Sequence, residues 1–301
     1  MNYISLNHNS KKVNFENALI NGLAPDKGLY FPEYIPKLST KFFKNIDNIS
    51  NNEIAYKVIK PFVGNCVDKN NLIKIIEDTL SFEFPLKQIN NLIYSLELFH
   101  GPTLAFKDIA MQLLGNLFSY YLKKDNKALT ILGATSGDTG SAAIEAVKGL
   151  KNINIFILHP YSRVSEFQRR QMTTVSEKNV FNIAVKGNFD DCQEIVKNLF
   201  QDLKVSKKTK LGSINSINWT RIMAQISYYI YTYYKIKQRY PDKKIAFSVP
   251  TGNFGDAYAG YLAMKKFNIP LNKLIIATNK NDILDRFFKT GTYSKKKVTE
   301  T

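Results

Sequence analysis

From about residue 91 onward, short apolar runs alternate with helix-like segments, and this alternation constrains the fold more than any other feature of the chain. Residues 93–99, 129–132, 153–158, 180–185, 245–249 and 274–277 read as strands. Residues 107–122, 140–147, 190–200, 216–235 and 256–266 carry helical spacing. Strands that take turns with helices pair in parallel, since each crossover helix carries the chain back to the same end of the sheet. Both faces of the sheet are then covered. Ligands of such sheets collect beyond the carboxyl ends of the strands.

The first 80 residues follow another pattern. Residues 13–20 have helical spacing that Asn21-Gly22 stops, and residues 28–32 read as a short apolar strand or turn. Residues 52–62 and 72–80 are further helices by period. No catalytic constellation is visible in this block. The expected organisation is a mainly helical N-terminal domain over residues 1–85, followed by a parallel α/β core over residues 86–301.

Charge and composition narrow the partners. The net charge is +17, and a strongly basic chain invites a nucleic-acid reading. The lysine doublets at 11–12, 123–124, 207–208, 243–244 and 265–266 are scattered, however, and no nucleic-acid-binding motif accompanies them. Solvated surface lysines account for the charge, and their field attracts phosphorylated metabolites. The sequence predicts no nucleic-acid partner and, lacking a long apolar run, no membrane span. Cys66 and Cys192 lie far apart, which argues against a disulfide framework and for a reducing cytoplasm. His8, His100 and His159 show no metal-ligand spacing.

Chemistry concentrates in a few stretches. In His100-Gly101-Pro102-Thr103-Leu104-Ala105-Phe106-Lys107-Asp108, a lysine stands at a helix start. Leu104, Ala105, Phe106, Ile109 and Ala110 supply apolar neighbours. Desolvation and the helix dipole both favour the neutral amine, which is what a lysine needs to condense with a carbonyl. A lone lysine of this kind is ordinarily a surface residue with a buried stem. The neighbouring loops shift the balance. Ala134-Thr135-Ser136-Gly137-Asp138-Thr139-Gly140 lacks both the Walker and the dinucleotide fingerprints. Its hydroxyls suit a carboxylate, or a hydroxyl-rich helix cap. Gly252-Asn253-Phe254-Gly255-Asp256 follows a strand and has no lysine of its own. It reads equally as a main-chain phosphate cradle or as a tight turn. Asn215-Ser216-Ile217-Asn218-Trp219-Thr220-Arg221 opens the long helix with amide, hydroxyl and guanidinium donors, and Arg221 can grip a phosphate with both arms. The aromatic run Tyr228-Tyr229-Ile230-Tyr231 reads as packing, and Cys192 as structural.

In order and spacing, these stretches and Gly187-Asn188-Phe189-Asp190-Asp191-Cys192 closely resemble the threonine synthase family of pyridoxal-phosphate enzymes, of tryptophan-synthase-β fold type II. The resemblance implies that Lys107 carries pyridoxal 5′-phosphate and acts as the shuttle base. It implies that Gly252, Asn253, Phe254, Gly255 and Asp256 hold the cofactor phosphate and that Asp138 lies near the cofactor's 3′ oxygen. Thr135, Ser136 and Thr139 would bind the substrate carboxylate, and Asn215, Ser216 and Arg221 the phosphate of O-phospho-L-homoserine. The reaction implied is γ-elimination of phosphate followed by β-addition of water, giving L-threonine. Family members continue well past Thr301, and the expectation is a chain whose core lacks its C-terminal part and which alone is weakly active or inactive. The alternatives are a threonine dehydratase-like lyase of the same fold type, and a cofactor-binding piece that needs a complementing segment.

Overall fold

The structure, a computed structural model, describes residues 1–39, 42–43, 49–202, 205, 209–214, 218–267, 269–296 and 299. The chain forms two compact units, Met1–Glu33 with Phe62–Arg221, and Tyr34–Pro61 with Ile222–Thr301.

In the first unit, β1 (Tyr3–Ser5) precedes α1 (Phe15–Asn21), and β2 (Tyr30–Pro32) returns antiparallel to β1. Asn14 starts α1 by accepting the Asn17 N–H at 3.0 Å, and Gly22 ends it at a φ of 67° that favours glycine. α2 (Asn51–Val63) leads into this unit and α3 (Lys69–Thr79) follows. Asp68 caps α3 through the Asn71 N–H at 3.0 Å. Next comes an antiparallel pair, β3 (Leu86–Gln88) and β4 (Tyr94–Leu96). The strand expected at 93–99 is thus shorter and lies outside the parallel sheet. It has a hairpin partner directly before it in the chain, and a local antiparallel pairing needs no crossover.

The core of this unit is α4 (Lys107–Asp125), β5 (Leu129–Ala134), α5 (Asp138–Val147), β6 (Ile153–Pro160), α6 (Glu166–Thr173), β7 (Val180–Val185), α7 (Phe189–Gln201) and β8 (Leu211–Gly212). The four strands run parallel in the order β7-β6-β5-β8. The order therefore reverses at β5, where the crossovers to its two neighbours leave in opposite directions. That reversal opens a crevice at the carboxyl end of β5. Ile131, Ile155 and Ile157 are fully buried, while β7 is an edge strand among the described residues and exposes Phe181 and Ile183. Cys192 sits in a cluster with Leu132, Ala134, Leu158 and Val196, and burial pushes its thiol up, so it is an inert core residue.

α4 is buried on nearly every side, from Ile109 through Leu122. It approaches α5 backbone to backbone, because a Cβ on Gly115 would lie 2.5 Å from the Ala146 carbonyl oxygen. Asn179 fastens the rear of the sheet. Its Nδ2 donates to the carbonyls of Val147 (2.9 Å) and Ile153 (2.8 Å), and its Oδ1 accepts the Gly149 N–H at 2.8 Å. Asn179→Ala leaves these buried groups unsatisfied and is expected to lower stability by about 2–3 kcal/mol, read as a shifted urea midpoint.

α8 (Trp219–Arg239) leads into the second unit, which adds β9 (Ala246–Pro250), α9 (Gly255–Lys265), β10 (Lys273–Ala277) and α10 (Ile283–Thr290). β9 and β10 pair in parallel as a separate two-stranded sheet. The parallel pairing predicted for these strands is present, though not in one sheet with β5–β8. Helices α6 and α10 were not anticipated from the period. α6 buries only Met172 and is almost wholly polar, so it writes no apolar stripe into the sequence; α10 does carry Ile283, Leu284, Phe287 and Phe288 at helical spacing, but over little more than two turns. Among the described residues no helix is long and apolar enough to cross a membrane, and no group of His, Cys, Asp and Glu could hold a metal ion.

Candidate active site

The lysine turn is built around a buried carboxylate. Asp108 is fully buried, and it accepts the Thr103 N–H at 2.9 Å and the Thr103 hydroxyl at 2.6 Å. Burial raises its pKa above the ordinary aspartate value, and the bonds from Thr103 oppose that rise. Gly101 is required here, since a Cβ would lie 2.5 Å from Asp108 Oδ2. From α6, Gln171 Nε2 donates to the Thr103 carbonyl at 2.8 Å and holds the turn from the other side. The turn then enters α4 with Lys107 as its first residue.

The Lys107 amine points toward the start of α5. It donates to Thr139 Oγ1 at 3.1 Å and stands 3.7 Å from Asp138 Oδ2, with its side chain 13% exposed. The Phe106 ring centroid is 4.8 Å from the nitrogen. Of the apolar neighbours expected around the amine, Phe106 does line it. Leu104 instead faces solvent, and Ile109 and Ala110 are buried within α4.

The loop after β5 lies at the sheet's point of reversal, and its hydroxyls are unlike one another. Thr135 is buried, and its Oγ1 accepts the N–H groups of Gly137 (3.0 Å) and Gly140 (2.9 Å) while donating to the Gly137 carbonyl (3.1 Å). Its hydroxyl is used to fold the loop. Ser136 is exposed and Thr139 half-buried beside the amine. Gly137 adopts φ 153°, and a Cβ there would lie 2.0 Å from Gln168 Oε1 of α6. Thr135→Val keeps the shape but strips the acceptor from two amides. It is expected to cost roughly 1–3 kcal/mol and to speed hydrogen exchange at Gly137 and Gly140 specifically.

Beyond β8, Asn218 Oδ1 accepts the Thr220 N–H at 3.1 Å, and its Nδ2 donates to the Leu19 carbonyl at 2.8 Å. Arg221 is 2% exposed and donates from Nη1 to the Ile214 carbonyl at 3.1 Å. Asn215 and Ser216 lie outside the described residues. The Gly187–Cys192 stretch is a capping box. Asn188 Oδ1 accepts the Asp191 N–H at 3.1 Å, and Asp191 Oδ2 accepts the Asn188 N–H at 2.7 Å.

In the second unit, the loop after β9 continues the pairing through Thr251 N–H to the Ala277 carbonyl at 3.0 Å. Thr251 Oγ1 accepts the Phe254 N–H at 3.1 Å, and Phe254 takes a left-handed φ of 62° directly before α9. Gly252 and Asn253 are exposed, and a Cβ built on Gly252 meets nothing within 4 Å. That space lies open just before the head of an eleven-residue helix. The Asp256 carboxylate turns toward α8, where Oδ1 accepts the Tyr228 hydroxyl and, at 3.1 Å, the Tyr229 hydroxyl. The aromatic run read from sequence as packing thus carries a polar function as well. Tyrosines three and four residues apart from core positions look the same in sequence whether or not their hydroxyls are used.

The comparisons with known proteins place the chain in a family. The model of pyridoxal-phosphate dependent enzymes matches residues 81–301, and the chain belongs to that family. The model of the threonine synthase N terminus matches residues 2–80. The threonine synthase of Pseudomonas aeruginosa is 49% identical over 98% of this chain and 63% of its own length. That of Buchnera aphidicola from Acyrthosiphon pisum is 37% identical over 100% of this chain and 70% of its own. The solved structure of pyridoxal-phosphate-bound threonine synthase from Brucella melitensis superimposes with a TM-score of 0.91 at 44% identity, over 100% of this chain and 65% of that one. Within the wider family, the chain belongs to the threonine synthases. It spans somewhat under two thirds of the length of the Pseudomonas and Brucella proteins.

Proposed function

We propose that this protein converts O-phospho-L-homoserine and water to L-threonine and phosphate, with pyridoxal phosphate carried on Lys107. The observation that supports this most directly is the Lys107 amine, bonded to Thr139 Oγ1 at 3.1 Å with the Asp138 carboxylate at 3.7 Å, at the crevice of the parallel sheet. The open, glycine-led turn at residues 252–256 supports its assignment to the cofactor phosphate. When bound, the cofactor supplies an electron sink that lets protons leave Cα and Cβ and phosphate leave Cγ.

The chain's own residues do the rest. Lys107 moves the proton at Cα of the substrate, and Thr139 and Asp138 orient its nitrogen for that transfer. Ser136 and Thr139 bind the substrate carboxylate, while Thr135 holds the loop that presents them. Asp138 also serves the cofactor's 3′ oxygen. Asn215, Ser216 and Arg221 are assigned to the substrate phosphate. For Arg221, the support is its place at the start of the helix that follows β8, next to β5 in the sheet. A division near residues 80–85 into an N-terminal domain and a catalytic core is part of this reading, supported by the limits of the two family matches. A reducing cytoplasm is likewise part of it, in keeping with the free thiols of Cys66 and Cys192.

The test is a two-substrate assay of the pyridoxal-phosphate-loaded protein. O-phospho-L-homoserine should yield phosphate and threonine in equal amounts. Release of ammonia and 2-oxobutanoate from threonine, without phosphate release from O-phosphohomoserine, would instead identify a dehydratase.

A further inference from the structure

The loop assigned to the cofactor phosphate contains a group that works against it. Asp256 lies in the first turn of α9, where its negative charge competes with any anion for the exposed N–H groups and the positive end of the helix dipole. Its carboxylate does not stay there. Tyr228 and Tyr229, adjacent on α8, both donate to Asp256 Oδ1, and the Tyr229 hydroxyl is also 3.1 Å from the Asp256 carbonyl oxygen. The phenols are built into the core, Tyr228 2% and Tyr229 3% exposed. Gly260, one turn further along α9, is required beneath them, since a Cβ there would lie 2.8 Å from the Tyr229 ring. Burial, with the Asp256 charge beside it, pushes the Tyr229 hydroxyl well above its ordinary pKa, so it stays a donor at every working pH.

We propose that Tyr228 and Tyr229 are positioning residues for the phosphate loop, drawing the Asp256 carboxylate aside so that the head of α9 is left to the cofactor phosphate. This rests on the assignment of residues 252–256 to that phosphate. The pair act through Asp256 and touch no reacting atom. Their effect must therefore fall on the phosphate end of the cofactor and spare the aldehyde end.

That separation defines the test. Pyridoxal phosphate and pyridoxal share the aldehyde and the ring and differ only in the phosphate. For the wild-type protein and for Tyr228→Phe, Tyr229→Phe and the double variant, half-saturating concentrations of each aldehyde are read from borohydride-trapped label on the Lys107 peptide. The wild-type protein should prefer pyridoxal phosphate strongly. Each single variant should lose about 5- to 10-fold of that preference, and the double variant more, as expected for a charge-assisted bond lost per phenol. Labelling by pyridoxal should stay at the wild-type level, which also shows that the variants are folded. Adding Asp256→Asn to the double variant should recover much of the preference, because the competing charge is then gone. A preference unchanged in the tyrosine variants, or equal losses for both aldehydes, would overturn the proposal while leaving the phosphate-loop assignment standing. A wild-type protein that does not distinguish the two aldehydes would overturn the assignment itself.

Discussion

Lys107→Ala is expected to abolish borohydride-trapped incorporation of pyridoxal phosphate into the peptide that holds residue 107 and to lower kcat by about 10³-fold or more. Both losses follow from one atom. The Nζ of Lys107 is the amine that the structure sets at the crevice, bonded to Thr139 and facing Asp138. In the function proposed, its loss leaves the carbonyl of the cofactor without a partner there and the proton at Cα without a base. Lys107→Arg separates charge from chemistry, because arginine keeps the cation but does not deprotonate in proteins. It should therefore be as unlabelled as the alanine variant. Peptide mass spectrometry and phosphate release read the two effects. Label that persists at wild-type stoichiometry on another lysine of the alanine variant would remove Lys107 from the role.

Asp108→Ala is expected to be the most damaging substitution of a residue that contacts neither substrate nor cofactor. It leaves the buried Thr103 N–H and hydroxyl without their acceptor and opens a void against Gly101. Losing bonds to a buried carboxylate costs about 2–4 kcal/mol, and the turn that delivers Lys107 should loosen with it. Asp108→Asn gives a sharper reading through pH. Burial raises the folded pKa of Asp108 above the ordinary aspartate value of 3.8, so the folded state holds this proton more tightly than the unfolded chain. Its contribution to stability is therefore full below about 3.8 and declines as pH rises through the raised folded value. Asparagine does not titrate. The difference in urea midpoint, wild type minus Asp108→Asn, should thus fall with rising pH across that window and then level off. Other carboxylates titrate alike in both proteins and cancel. A difference that rises with pH would show that the bonds from Thr103 outweigh burial.

Much of the architecture was legible before any coordinates, for particular reasons. β5, β6 and β7 were readable because short stretches dominated by apolar and β-branched residues, interrupted by Asn154 in β6 and Asn182 in β7, have few other uses in a chain with these glycine loops. α1 and α4 were readable from Gly22 and from the apolar run after Lys107. By contrast, β4 pairs with β3 through backbone groups that leave no side-chain signature, and α6 is almost wholly polar. Yet α6 supplies Gln168 against Gly137 and Gln171 to Thr103, so a segment that sequence reading passed over supports both parts of the lysine site.

The sequence by itself determined the chemistry on offer: one lysine at a helix start, loops rich in glycine and hydroxyls, and a parallel alternation to carry them. These are local properties, set by residue type and spacing within a few turns of chain. Only the tertiary structure decided how each group is used. It turned Thr135 inward onto the loop's own amides, turned Thr139 toward the amine, buried Asp108 under Thr103, and gave Asp256 to two tyrosines on another helix. The reason is physical. A hydroxyl or carboxylate bonds to whatever donor or acceptor lies within about 3 Å, and those partners are brought there by packing between segments far apart in the chain.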